Sequence, residues 1–413
     1  MIESLTMHRI TRRTLLAASA YSYNRIMGAN DRIQVGFIGY GLIGAQHVFD
    51  FKNQRDVDMA AMSDTFQPRM EQGIQACGGK AKGYRDFRKL LDDKDLQGVV
   101  VSTPDHWHAL MTIMACAAGK DVYVEKPMTL FVKEGQWMTK AARKYNRVVQ
   151  CGTQQRSGKH YQKARDLIRS GYLGKVHSIR MASYRNIMPG FGSPPDDAIP
   201  SEFDYDMWLG PAPKRPYNPH RGIYHFRWYW DYSGGQMTNL GAHSIDIAQW
   251  CMGVKGPKSV TSIGGRLAIE ANGDTPDTQD AIYEYPGFTS SWSHREASQG
   301  RRQPGGFGLE FHGTKATLGI GRSGFEVFPD MKSDPANSIP QFRGHSAGGP
   351  TRVDVKPEPW VAAMKEPGES NEQFDLHVRN FLDCIRSRQR PIADVEDGHQ
   401  TAVATISPTC RCG

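Results

Sequence analysis

No run in this chain approaches the roughly 18 consecutive apolar residues that a membrane-spanning helix needs. Cysteine is scarce, with 7 in 413 residues. Only Cys410 and Cys412 lie close together, and their Cys-x-Cys has no partner cluster. That spacing fits neither a zinc framework nor a dense disulfide scaffold, so mostly buried free thiols and no metal are expected. Blocks of like charge are missing too. The net charge of +8 is scattered, without a basic run or an RNA-binding signature, which argues against a nucleic-acid partner. Internal repeats and low-complexity tracts are absent.

What is present is length. A chain of 413 residues exceeds what one hydrophobic core usually serves, so two domains are expected. The start, Thr11-Arg12-Arg13-Thr14-Leu15-Leu16-Ala17-Ala18-Ser19-Ala20, is positive, then apolar, then small. It resembles a twin-arginine signal, which exports proteins already folded, and residues 1–30 are assigned to signal and linker. The alternative is a basic arm on a cytoplasmic protein. A periplasm offers little free nicotinamide cofactor, so export would favour a tightly held one.

From Ile33 the pattern alternates strand and helix, ending in a strand at Val148–Cys151. This predicts an α/β architecture, a doubly wound parallel sheet of the Rossmann type over 31–152. Beyond it, over 153–400, come a helix near 159–170, a strand 176–182, an irregular aromatic stretch 188–230, and a helix near 240–251. Runs near 259–263, 280–285, 288–293 and 316–328 read as antiparallel strands. A long loop over 329–370 and a helix near 374–386 follow. Residues 401–413 look atypical, as a truncated or frame-shifted end would.

Gly39-x-Gly41-x-x-Gly44 ends the first strand and opens a helix. Gly39 permits a tight turn, Gly41 leaves room for a pyrophosphate, and Gly44 lets helix and strand pack closely. Leu42 and Ile43 sit in the turn, where free N–H groups meet the anion. Asp64 ends the second strand about 20 residues on, placed to grip a ribose diol and repel a 2′-phosphate. NAD is therefore expected over NADP. Thr103-Pro104 follows the strand 98–101 at the same sheet edge, with His106 and His108 opening the next helix. Their spacing suggests metal ligands, but no third ligand is evident, and a cofactor-lining role is preferred. Glu125-Lys126-Pro127 ends the following strand and presents Lys126, an ammonium with a depressed pKa suited to a substrate hydroxyl.

The glycine turn, Thr103-Pro104-Asp105-His106-Trp107-His108, Val124-Glu125-Lys126-Pro127, and Gly234-Gly235 through Leu240-Gly241-Ala242-His243 to Asp246 resemble the Gfo/Idh/MocA family of oxidoreductases. The likeness spans about 31–400 and is greatest to members bearing twin-arginine signals. It implies a Rossmann domain plus an α/β domain whose open, mainly antiparallel sheet often mediates homo-oligomers. It also implies hydride transfer at a sugar, polyol or cyclitol carbon, with Lys126 on the reacting hydroxyl and His243 as acid/base candidate. His243 starts a helix after a glycine-rich approach, with Asp246 three residues on and expected to orient it. Many relatives carry aspartate where this chain has Asn239. Asn239 cannot take a proton, which leaves its catalytic part open.

Tyr205, Trp208, Arg227 and Trp230, with Arg156 and His160, are candidates for substrate binding, since aromatic faces suit sugar rings. Three readings follow. One is a sugar, glycoside or cyclitol dehydrogenase. The second is a glycosidase or lyase that uses bound NAD by transient oxidation. The third is a sugar-binding pseudoenzyme.

Overall fold

A computed structural model describes residues 32–300, 308–332 and 358–409. The signal-like segment, Cys410, Cys412 and most of the expected 329–370 loop lie outside them.

The first unit runs β1 (Ile33–Ile38), α1 (Leu42–Lys52), β2 (Val57–Ser63), α2 (Gln67–Ala76), β3 (Lys82–Tyr84), α3 (Phe87–Leu91), β4 (Gly98–Val101), α4 (Asp105–Ala117), β5 (Asp121–Val124), α5 (Val132–Lys144) and β6 (Val149–Cys151). The helix expected over 84–91 is shorter. Asp86 accepts from the Arg88 N–H at 2.9 Å and starts α3 there, freeing residues 82–84 to pair with β2. All six strands are parallel, in the order β3-β2-β1-β4-β5-β6. Helices cover both faces, so β1, β4 and β5 bury continuous apolar runs such as Val99, Val100 and Val101. The strand order reverses between β1 and β4. The crevice outside their carboxyl ends is where such sheets take ligands.

A 3₁₀ turn, Gln154–Ser157, leads to α6 (Lys159–Arg169) and β7 (Ser178–Tyr184). The stretch expected to be irregular contains short helices at Tyr205–Leu209 and Pro219–Gly222 and a 3₁₀ turn at His225–Trp228. A wide π turn, Met237–Gly241, precedes α7 (Ala242–Met252). The second sheet adds β8 (Ser259–Gly265), β9 (Thr278–Tyr285), β10 (Phe288–Arg295), β11 (Leu309–His312), β12 (Ala316–Gly321), β13 (Gly324–Pro329) and β14 (Met364–Pro367). Its order is β14-β13-β12-β11-β7-β10-β9-β8, antiparallel except for the parallel β7–β10 pair. The strand expected over 316–328 is a hairpin turning at Arg322-Ser323. One face of this sheet, with Ile179, Tyr283, Trp292, Phe311 and Phe325, packs under Ala164 and Ile168 of α6 and Ile245 and Ala248 of α7.

Two helices close the chain, α8 (Glu372–Ser387) and α9 (Val395–Ile406). Val378, Phe381, Leu382 and Ile385 recur on one face of α8, which packs on Ile33, Val35, Phe37 and Phe51 of the first unit. The division expected at residue 152 therefore separates the chain in sequence but not in packing. A boundary at 400 would cut through α9, whose Ala402 and Ala404 are buried. Among the described residues no helix is long and apolar enough to cross a membrane.

Candidate active site

Two connected cavities lie along the carboxyl edge of the parallel sheet. One, of ~330 Å³, runs past Gly39, Gly41, Asp64, Arg69, Thr103 and Pro104. The other, of ~250 Å³, holds Lys126, Asn239, His243, His108, Arg185 and Arg322. Leu42, Ile43, Thr103, Tyr224, Phe226 and Arg227 line both, so together they form one trough.

The glycine turn meets the demands of a dinucleotide. Gly39 has φ +93°, and a Cβ on it would sit 2.8 Å from the Ser102 carbonyl oxygen. A Cβ on Gly44 would overlap the Gly39 carbonyl. A Cβ on Gly41 would meet only Arg69 Nη1 at 3.8 Å, so this residue faces open cavity at the start of α1. That is the cradle a pyrophosphate requires, against the unpaired first-turn N–H groups of a helix. Asp64 accepts from Tyr40 N at 2.8 Å and Phe66 N at 2.9 Å, which fixes its carboxylate at the cavity wall. Burial raises its pKa in spite of these bonds.

At the other end, Lys126 Nζ donates to both oxygens of Asn239, the carbonyl at 3.0 Å and Oδ1 at 2.9 Å. Asn239 Nδ2 is held in turn by Gln236 Oε1 at 3.0 Å. Burial draws the ammonium down to about 8; Arg227 and Arg322 add to the shift, while Glu125 and Asp105 oppose it. Glu125 is itself tied down, accepting from His47 Nε2 at 2.8 Å, Gln154 Nε2 at 2.7 Å and Lys126 N at 3.0 Å. Burial alone would raise this carboxyl, yet the His47 bond and charge, with Lys126, bring it below its ordinary value. Asp105 accepts from Ser233 Oγ at 2.6 Å.

His108 bridges the two motif loops. Its Nδ1 lies 2.7 Å from the Pro127 carbonyl and its Nε2 2.8 Å from the Thr103 carbonyl. Both partners are backbone carbonyls, so the ring ties the Thr103 and Pro127 backbones together. This explains the histidine pair without a metal: His106 Nε2 instead meets the Trp208 carbonyl at 3.1 Å. Among the described residues no cluster of three metal-ligating side chains exists.

The π turn places Asn239 and, four residues on, His243 toward the same cavity. His243 Nδ1 is buried without a hydrogen-bond partner among the described residues. Burial, then the charges of Lys126 and Arg322, hold its pKa well below the usual histidine value.

Several expected site residues lie elsewhere. Asp246 does not orient His243. It is fully buried and paired with Arg156, Nε to Oδ2 at 2.9 Å and Nη2 to Oδ1 at 2.8 Å, with Thr401 Oγ1 at 2.9 Å. This one ion pair removes both Asp246 and Arg156 from the cavity and ties α7 to the turn after β6. His160 reaches the Gly321 carbonyl at 3.0 Å and lines neither cavity. Tyr205 stacks on Trp208, with centroids 5.8 Å apart, inside a cluster with Phe203, Tyr217 and Tyr232. Trp208 edges the glycine-turn cavity, not the Lys126 end. Trp230 lines neither, its backbone N–H bound to Asp274 at 2.8 Å. Arg227 alone of the proposed substrate set reaches the Lys126 cavity. The sequence reading missed Arg185, Arg322 and Gln154. Arg322 sits in a hairpin turn far along the chain from Lys126, where no local pattern signals a site.

Comparison with known proteins follows the same division. Residues 33–153 match the oxidoreductase family's NAD-binding Rossmann fold, and residues 158–290 its C-terminal alpha/beta domain. The scyllo-inositol 2-dehydrogenase (NAD(+)) of Bacillus subtilis is 23% identical over 87% of this chain and 88% of its own. Myo-inositol 2-dehydrogenase of Thermotoga maritima is 24% identical over 60% of this chain; the match spans 64% of that protein, under two thirds of its length. In fold, the chain resembles a levoglucosan dehydrogenase solved with NADH and levoglucosan, with a TM-score of 0.65 and 19% identity over 92% of this chain and 97% of that one. The chain belongs to the Gfo/Idh/MocA family of oxidoreductases, with that family's NAD-binding Rossmann domain and its C-terminal α/β domain.

Proposed function

We propose that this protein oxidises a secondary hydroxyl of a sugar, glycoside or cyclitol with NAD, and that Lys126 is the base. One observation carries the reading. Lys126 Nζ is bonded to both Asn239 oxygens in a cavity that shares Leu42, Ile43 and Thr103 with the cavity of the glycine turn. The relatives named for inositol and levoglucosan support a polyhydroxylated substrate.

Bound NAD would supply the hydride acceptor, held by the Gly39–Gly44 turn, Asp64 and the Thr103-Pro104 loop. The remaining work falls to the chain. A neutral Lys126 has two N–H groups, and the two Asn239 oxygens take both. Its lone pair then points away from Asn239, free to accept the proton of a substrate hydroxyl. His243, kept neutral, offers a second polar contact to that hydroxyl or its neighbour. The Lys126-Pro127 and Thr103-Pro104 loops, clamped by His108, keep the base aligned with the substrate carbon. Lys126→Ala tests this: turnover of any polyol substrate falls by about 10³-fold or more, with NAD affinity retained. Unchanged turnover would reject Lys126 as the base.

Export rests on the Arg12-Arg13 pattern, and fusing residues 1–30 to a reporter tests it. Assembly through the second sheet is likewise a proposal, supported by Ile263 and Ile282, which are 78% and 62% exposed on it.

A further inference from the structure

We propose that the substrate carries an anionic group, a carboxylate or phosphate on the polyol, and that Arg322 with Arg227 receives it. The charges in the Lys126 cavity do not balance. Of its two carboxylates, Glu125 is held by His47, Gln154 and the Lys126 N–H, and Asp105, bonded to Ser233, acts electrostatically on Arg227 and Lys126; no carboxylate pairs with Arg322 among the described residues. Of its arginines, Arg185 is paired with Glu296, which also accepts from Trp228 Nε1 at 2.7 Å. Arg227 and Arg322 have no ion pair among the described residues.

Both guanidinium groups are nevertheless held in place. Arg322 lies 5.8 Å from the Phe374 ring centroid. Arg227 stacks 4.5 Å from Phe226, and its Nη1 donates to the Tyr224 carbonyl at 3.2 Å. Such ring contacts leave guanidinium N–H groups for a planar or tetrahedral anion. The position matters more than the count. Both arginines act electrostatically on Lys126, and Arg322 also on His243. Cations packed beside a buried lysine repel it, and an anion bound between them relieves that repulsion. An anion on Arg322 would leave the rest of the molecule reaching toward Lys126 and His243.

This inference rests on the polyol reading above, and its test separates the two. The full chain, loaded with NADH, is titrated calorimetrically with glucose, glucuronate and glucose 6-phosphate; oxidation of the same compounds is followed with NAD. At least one anionic sugar is expected to bind about tenfold or more tightly than glucose. Whichever of the two does so identifies the group as carboxylate or phosphate. Arg322→Met and Arg227→Met should each erase most of that advantage, chiefly in KM, while weakening glucose far less. Equal binding of glucose and both anions, or equal loss for all three in Arg322→Met, would overturn the proposal. So would a loss of NADH affinity in Arg322→Met as large as the loss for the sugar, since the cofactor's phosphates would then be the anion. An anion preference that persists while Lys126→Ala still turns substrate over would instead reject Lys126 as the base and leave this inference standing.

Discussion

At the scale of residues, the proposed reaction turns on the state of one amine. Lys126 titrates near 8, displaced downward chiefly by burial. Below that value it carries three protons and cannot act as a base; above it the lone pair is free. Oxidation should therefore climb with pH, about tenfold per unit while Lys126 is protonated, and level off above about 8, as kcat/KM profiles would record. Reduction of the ketone should show the opposite slope. Asn239 sharpens this. It supplies two oxygens to the amine but no charge. Asn239→Asp keeps an acceptor and adds an anion, which favours the ammonium. The apparent pKa should then rise by about one unit or more, and oxidation at neutral pH should fall. A profile that stays in place would show that Asn239 does not govern Lys126. The residue that looked like a gap in the machinery thus holds the amine without adding a charge that would oppose the effect of burial.

Lys126 and His243 were accessible from sequence for local reasons. A proline ends the strand beside one, and a glycine-rich approach precedes the other. Asp246 was misread for a local reason as well. Spacing of three on a helix makes two residues neighbours, but it does not say which of them has a stronger partner across the fold. Here Arg156 grips both carboxylate oxygens, and that contact joins positions 90 residues apart.

At the scale of elements, that ion pair is a joint. Arg156 stands in the turn after β6, Asp246 on α7, and Thr401, which also bonds Asp246, on α9. Asp397 adds a second carboxylate to Arg156 at 3.2 Å. Removing the cation leaves Asp246 buried and unpaired. Arg156→Leu should cost about 3–5 kcal/mol in denaturant unfolding. The folded fraction should keep its affinity for NAD, which a substrate-binding arginine in contact with the cofactor would not allow. The glycine turn makes a different demand. Gly44→Ala places a methyl group against the Gly39 carbonyl and must push α1 off β1. NAD affinity should drop by about 100-fold in titrations, with a lowered Tm. The parallel half was legible because buried strands and amphipathic helices alternate with strong periodicity. β11 and β14 were not, since Leu-Glu-Phe-His and Met-Lys-Glu-Pro lack the continuous apolar run that marks β4. α9 escaped notice because its buried side chains are mostly small, Gly398, Ala402, Ala404 and Thr405, and carry little periodic signal.

At the scale of the molecule, the two sheets act on one trough. The parallel sheet offers the glycine turn and Lys126; the second half of the chain contributes Asn239, His243, Arg227 and Arg322. The C-terminal helix α8 returns to cover the first sheet, burying Phe381 at 0% exposure against Phe37 and Phe51. Residues 32–152 on their own would expose that apolar face. Such a fragment should lose cooperative thermal unfolding and NAD binding together, despite holding the whole glycine motif. This architecture is also where sequence reasoning reached its limit. The family resemblance named the halves, but the convergence of two arginines on Lys126 depends on three-dimensional folding of a hairpin, a loop and a strand end.

The claim at the centre of this account is net oxidation of a polyhydroxylated substrate by NAD at Lys126. The most direct measurement is a single-turnover reaction of the NAD-loaded protein with sugars and cyclitols, neutral and anionic. Reduced nicotinamide is followed by absorbance and the carbohydrate product by mass spectrometry. One NADH should form for each hydroxyl converted to a carbonyl, and none with Lys126→Ala. A glycoside cleaved with no net NADH, or a sugar bound and released unchanged, would contradict it.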